Sequence, residues 1–259
     1  MLLEKKNAVI YGGGGGIGSA VAAAFAREGA TVFLTGRTGE TLDRVAGAIR
    51  QVGGAAEVDV LDAFDESAVE EHARSVVARA GRIDVSLNLV PRGDVQGIPL
   101  VEMTTADLTR AVTNGISTNF ITARAAARQM IGQGSGVILA LNSGSAHGSP
   151  MMGSTGPADA AIDTFIRNLA MEVGPHGVRA LGLWTAGIPE TLTVEKLSAV
   201  NSNLDESALA GILAGLDQAR MTRRSPRLAE VAETIAFLAS DRAAGITGTF
   251  VNVTSMFPS

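Results

Sequence analysis

Three groups of residues in this chain have types and spacings that suit them to chemistry. The first is the run Gly12-Gly-Gly-Gly15-Gly16-Ile17-Gly18. Glycines let a backbone turn tightly and let a phosphate approach where a Cβ would obstruct it. Five consecutive glycines blur the register, so Gly12-x3-Gly16-x-Gly18 and Gly13-x-Gly15-x2-Gly18 both fit, with Gly14 inside either. The second is Ser143 with His147 four residues on. Histidine is the usual acid or base near neutral pH, although a hydroxyl capping a loop and a solvent-facing histidine explain the same letters. The third is Asp159 with Asp163, one helical turn apart and so on one face. Paired carboxylates do acid–base work when one of them is made less acidic; more often they cap a helix or face water. His72, His147 and His176 are scattered and there is no cysteine, so no metal constellation emerges.

The elements that must position these residues follow from the apolar pattern. Residues 7–11 form a strand-length apolar run before the glycines. After them Ile17, Val21, Ala24 and Phe25 recur on one helical face. Strand, glycine loop and helix in that order point to a nucleotide phosphate site. Further strands are predicted at 31–35, 56–60, 83–90, 137–141, 178–184 and 248–253. Helices are predicted at 40–52, 66–79, 106–130, 158–173 and 227–240, the third of these with a possible break at Asn114-Gly115. A polar, less regular insert runs from 189 to 224. Strands alternating with helices imply parallel βαβ units in a doubly wound sheet. No repeat or linker interrupts residues 1–259, so a single domain is expected.

Composition agrees with a globular chain. Of 259 residues, 46% are hydrophobic and 18% charged, and the net charge of −5 comes with no basic block, which argues against nucleic acid as a partner. Residues 129–158 carry no charge but are broken by Gly, Ser and Pro, unlike a membrane span. The first strand begins almost at the N-terminus, leaving little room for a signal peptide. A soluble, cytoplasmic protein with a small-molecule substrate is the expectation.

Taken together, these features resemble the short-chain dehydrogenase/reductase family over essentially the whole length. The resemblance rests on the glycine loop, Asp59-Val60 after the third strand and Ile83-Asp84 before the fourth. It continues with Ser143 after the fifth, Pro175-His-Gly-Val-Arg179 before the sixth, and Phe237 to Asp241 with Ile246-Thr-Gly248 near the end. It implies a single Rossmann-type α/β domain, a doubly wound parallel sheet of about seven strands with helices on both faces. It also implies a nicotinamide cofactor held by Gly12, Gly14, Gly15, Gly16, Ile17 and Gly18, with Asp59 and Val60 at the adenine, and Asn88 and Ile188 completing the set. Cofactor choice turns on the end of the second strand. A carboxylate there bonds a ribose 2′-hydroxyl, and an arginine accommodates a 2′-phosphate. The corner reads Thr35-Gly36-Arg37-Thr38, so Arg37 favours NADP(H) over NAD(H).

The family's proton-transfer pair, Tyr-x-x-x-Lys, is missing. The register of residues 160–170 sets Thr155 and Asp159 at its two positions. The chain's single tyrosine is Tyr11, and its only lysines are Lys5, Lys6 and Lys196. The family's upstream asparagine falls on Gly115, with Asn114 beside it. Ser143 persists, and His147 becomes a substitute acid or base. The leading expectation is an NADP(H)-dependent oxidoreductase with an altered proton-transfer site and an unknown substrate. The second is a cofactor-binding protein without redox turnover. By resemblance the chain forms a homodimer or homotetramer through the helices carrying Ala125-Ala-Ala127 and residues 158–161. Residues 189–224 form a substrate lid, with Leu192, Val194, Leu197, Leu204, Leu209, Ile212, Leu213 and Leu216 available for its apolar wall.

Overall fold

The computed structural model describes residues 1–195 and 205–256. Its centre is one seven-stranded sheet in the order β3-β2-β1-β4-β5-β6-β7, every pair parallel. The strands are β1 (Asn7–Tyr11), β2 (Thr31–Gly36), β3 (Ala55–Val60), β4 (Val85–Asn88), β5 (Gly136–Asn142), β6 (Val178–Trp184) and β7 (Phe250–Asn252). All four residues of β4 are buried, as are four of the five in β1. Burial on both faces explains the apolar run of β1; β4 alternates, and its polar residues Ser86 and Asn88 are buried as well.

Helices cover both faces: α1 (Gly16–Arg27), α2 (Gly39–Gln51), α3 (Glu66–Ala80), α4 (Thr105–Gln133), α5 (Thr155–Val173), α6 (Glu206–Ala219) and α7 (Leu228–Ala239). One core cluster gathers Val21, Phe25, Leu34, Leu42 and Ile235; the other gathers Val9, Phe33, Val76, Ile162 and Ile166. Each fully buried aliphatic or Phe side chain contributes about 1.5–3 kcal/mol. Helix ends follow local chemistry. Asp65 accepts the Ala68 N–H at the start of α3, and Thr104 accepts the Asp107 N–H at the start of α4. Gly81 and Gly134 end those helices in the left-handed region.

Two predicted boundaries move. Helix α4 runs through Asn114-Gly115 without a break, and α5 begins at Thr155, three residues before the predicted start. Both shifts bear on the site: Gly115 and Thr155 become fixed points of rigid helices. In the predicted insert, a short turn (Pro189–Thr191) precedes α6, whose first turn is capped by Asp205 accepting from Ala208. Leu197 and Leu204 lie outside the described residues.

Candidate active site and cofactor cleft

The loops that follow β1 to β6 all open at the carboxyl edge of the sheet, and the sheet order reverses between β1 and β4. Gly12 ends β1 with φ +81, and its N–H donates to Thr35 O at 2.9 Å. A Cβ on Gly12 would stand 2.7 Å from Leu89 O, and one on Gly18 would stand 2.3 Å from Gly12 O. Both positions therefore require glycine; Gly18 belongs to either spacing and Gly12 to Gly12-x3-Gly16-x-Gly18. Gly14 serves packing, since its Cβ would meet Thr41 Oγ1 on α2. Gly15 is the N-cap of α1 and offers no side-chain cap. Around Gly15 and Gly16 there is room for a Cβ, with Gly12 O at 3.5 Å and the Thr191 methyl at 3.7 Å. The first N–H groups of α1 and its positive dipole end thus face an open cradle suited to a pyrophosphate. Ile17 packs half-buried on the first core cluster, and Ile188 is buried within it. Thr191, above the loop, is a residue that sequence reasoning missed.

Beside this cradle is a cavity of about 100 Å³ lined by Gly12, Thr35, Gly36, Arg37, residues 61–64, Val90 and Pro91. Arg37 is exposed at its rim. Asp59 and Val60, expected at the adenine, are not among its lining residues. Asp59 Oδ2 instead meets Arg79 Nη2 at 2.7 Å and His72 Nε2 at 3.2 Å. Side chains alternate along a strand, so Glu57 and Asp59 share one face of β3, and Arg79 on α3 binds both. Val60 is exposed beside Gly39. The carboxylate that lines the cavity is Asp62, followed by Ala63. Burial lowers the His72 pKa, against the pull of Asp59. Asn88 Oδ1 accepts from Val90 N at 2.9 Å, while its Nδ2 is buried without a partner among the described residues.

The second half of the cleft is built where β5 meets α5. Asp159 is fully buried. Its Oδ2 accepts Ser143 N–H at 3.0 Å, Ser143 Oγ–H at 2.7 Å and Ser145 N–H at 2.9 Å; its Oδ1 accepts Arg92 Nη1 at 2.8 Å. Arg92 also binds Asp94 through two nitrogens, at 2.9 and 3.2 Å, and Asn142 Oδ1 at 3.2 Å. Burial works against its charge, but Asp94 and Asp159 prevail and hold its pKa above the ordinary guanidinium value. The arginine fits because α4 has a glycine opposite: a Cβ on Gly115 would stand 2.8 Å from Arg92 Cδ. Asn114 Nδ2 holds Arg92 O at 3.0 Å.

Asn142 Nδ2 spans the two carboxylate residues, donating to Asp163 Oδ1 at 2.7 Å and to Asp159 O at 3.2 Å. Burial raises the Asp163 pKa, although the bonds from Asn142 and Trp184 oppose the shift. Thr155 is buried, and its hydroxyl accepts from Gln96 Nε2 at 2.9 Å. Neither Thr155 nor Asp159 lines a cavity of about 520 Å³ that lies on the far side of Ser143 and Ser145. His147, Met152, Trp184, Leu216 and Met256 form its walls, with His147 edge-on to Trp184 at 5.3 Å. Ser143 and His147 are therefore brought to one cavity, while Asp159 and Asp163 stand behind its wall. Arg92 was missed from sequence; its signal was Gly115, which stands where the family's asparagine falls and leaves the space that Arg92 fills. Among the described residues no group of three or more His, Asp or Glu is placed to hold a metal, and no helix is long and apolar enough to cross a membrane.

A parallel sheet with a glycine loop opening a helix at its switch point defines a Rossmann-type domain. Known proteins place it further. A family model described as Enoyl-(Acyl carrier protein) reductase matches residues 13–255. The chain is 27% identical to the 7alpha-hydroxysteroid dehydrogenase of Escherichia coli (strain K12), over 97% of this chain and 93% of that protein. It is 29% identical to the 3-oxoacyl-[acyl-carrier-protein] reductase FabG of Thermotoga maritima, over 98% of both. A crystal structure of NAD+-bound xylitol dehydrogenase superposes with a TM-score of 0.87 at 25% identity, covering 99% of this chain and 100% of that one. The chain belongs to the short-chain dehydrogenase/reductase family, a family of oxidoreductases.

Proposed function

We propose that this protein is an NADP(H)-dependent oxidoreductase whose proton transfer does not use the family's tyrosine and lysine. The observation that carries the reading is Asp159: at the lysine position stands a buried carboxylate, tied to Arg92 and Ser143. In this reading Gly12, Gly15, Gly16 and Gly18, with Thr191, hold the pyrophosphate. Asp62 and Ala63 replace Asp59 and Val60 beside the adenine, and Arg37 faces the 2′-phosphate. Asn88 and Ile188 support the nicotinamide side. The cofactor supplies or accepts the hydride. Thr155 is buried against Gln96 and out of reach of substrate, so it moves no proton. His147, exposed at the cavity wall, exchanges the proton with a substrate on Trp184. Residues 189–224 form the lid; Leu216 of α6 supplies its apolar contact.

The test is cofactor titration followed by turnover. NADPH binds more tightly than NADH, and Arg37→Ala weakens NADPH about ten- to hundredfold while sparing NADH, the scale of one charge-assisted hydrogen-bond pair. Equal loss for both cofactors would remove the NADP assignment. Simple ketones turn over slowly, since general acid–base catalysis is worth about 10²–10⁴-fold, and an enone suffers less. Brisk ketone reduction unaffected by His147→Ala or Ser143→Ala would overturn the altered site.

A further inference from the structure

We infer that the cavity beside Ser143 selects a ligand that donates a hydrogen bond, an alcohol or an amine on an apolar body, and disfavours the matching carbonyl compound. This rests on reading that cavity as the substrate pocket and adds the polarity of its ligand. The argument is a count of protons. A serine hydroxyl has one proton to give and two lone pairs to offer. Ser143 Oγ lies 2.7 Å from Asp159 Oδ2, an acceptor that faces Arg92 on its other oxygen. Hydrogen bonds to an ionised partner are roughly twice as strong as neutral ones, so the Ser143 O–H points at the carboxylate. Ser143 Oγ and Ser145 Oγ are 2.8 Å apart. With the Ser143 proton committed, Ser145 is the donor of that pair, and its proton is committed as well. The two hydroxyls then offer only lone pairs to the cavity that both residues line.

Asn252 also lines the cavity; its Oδ1 is taken by Thr254 N–H at 2.9 Å and Thr254 Oγ1–H at 2.7 Å, so at that residue the amide N–H groups face a ligand, and the lone pairs on offer are those of the serine pair. Trp184, Met152, Leu216 and Met256 supply the apolar walls. At the serine pair a ketone oxygen would face lone pairs, whereas an alcohol or amine there would complete the Ser143 oxygen. Arg92 is the positioning residue of the device, because it holds Asp159 where that carboxylate captures the serine proton.

Menthol and menthone make a matched pair of probes, and Trp184, the chain's one tryptophan, reports their binding by fluorescence in the full chain. Menthol is expected to bind about five- to tenfold more tightly, the worth of one neutral hydrogen bond. Ser143→Ala should erase the preference without weakening menthone. Ser145→Ala should keep or widen it, an outcome that mere loosening of the loop would not give. In Asp159→Asn the amide oxygen is still needed by the Ser143 and Ser145 N–H groups and keeps accepting from the Ser143 hydroxyl, so the menthol preference should persist. Equal affinities, tighter menthone binding or no response to either probe in the unmodified protein would overturn the inference. Cofactor titration is a separate measurement. A protein that binds NADPH but shows no menthol preference keeps its proposed function and loses only this inference.

Discussion

Arg92 and Asp159 are oppositely charged partners in a nearly dry site, joined across 67 positions of sequence. Removing one partner of such a pair leaves the other buried and uncompensated, at about 3–5 kcal/mol. Arg92→Ala should therefore lower the urea midpoint sharply. Arg92→Met combined with Asp159→Asn should recover part of the loss, because the amide oxygen still accepts from Ser143 and Ser145. An additive double variant would show that the pair is not coupled. The same pair corrects a simple repair strategy. Thr155→Tyr with Asp159→Lys would set a lysine against Arg92, so restoring family chemistry needs Arg92 removed too. Asp163 gives a pH prediction. Its folded pKa is raised by burial, so the native state binds this proton more readily than the unfolded chain. The resulting penalty is absent below the ordinary carboxylate range and grows as pH rises through the raised value. Asp163→Asn keeps an acceptor for Asn142 and Trp184. It should gain stability over the unmodified protein at pH 7 and lose that gain near pH 4, as read by urea midpoints at the two values. A constant difference across that range would remove this account of Asp163.

At the scale of elements, the glycine loop divides into positions that fold it and positions that leave space for a ligand. Gly18 sits against the Gly12 carbonyl, where the clash is with backbone and nothing flexible can yield. Gly15 has an ordinary negative φ and room around it. Gly18→Ala should cost about 1–3 kcal/mol through overpacking and lower the thermal midpoint. Gly15→Ala should leave the midpoint nearly unchanged and weaken NADPH. If both variants lose stability alike, the cradle is structural and not a phosphate site. On the other side of the cleft, Arg220 joins the end of α6 to Ala186 O after β6, at 2.7 Å, and to Thr254 O. Burial lowers its pKa to about 10, which leaves it charged at neutral pH. It anchors the proposed lid to two loops of the cavity, and the absence of a Cβ at Gly187 makes room for it, since that atom would stand 2.8 Å from Arg220 Nη2.

For the whole molecule, the sheet is covered by two cores, yet α4 and α5 retain an apolar outer surface. Phe120 is 45% exposed, meets Phe165 edge-on at 6.1 Å and lies under the Arg124 guanidinium at 4.9 Å. Ala125, Ala126, Ala127 and Ala158, expected at a subunit contact, are instead buried within the protomer, so it is the Phe120 and Phe165 face that suits pairing about a two-fold axis. Sedimentation at micromolar concentration should show a dimer or tetramer, and Phe120→Glu should shift it toward monomer while leaving the thermal unfolding cooperative. A monomeric unmodified protein would count against the assembly.

The sequence alone determined the alternation of strands and helices, because buried parallel strands and amphipathic helices each impose a local period on the chain. It also determined that a glycine loop follows β1, and that no Tyr-x-x-x-Lys could be present with one tyrosine and three lysines. Only the tertiary structure decided what the substituted positions do. Asp59 and Asp62 are three residues apart and chemically identical; strand register and the reach of Arg79 from α3 set one in an ion pair and the other at the cavity. Arg92, Gly115, Ser143 and Asp159 come from four separate parts of the chain. No local pattern links them, because what joins them is the space left by an absent Cβ and the need of a buried charge for a partner.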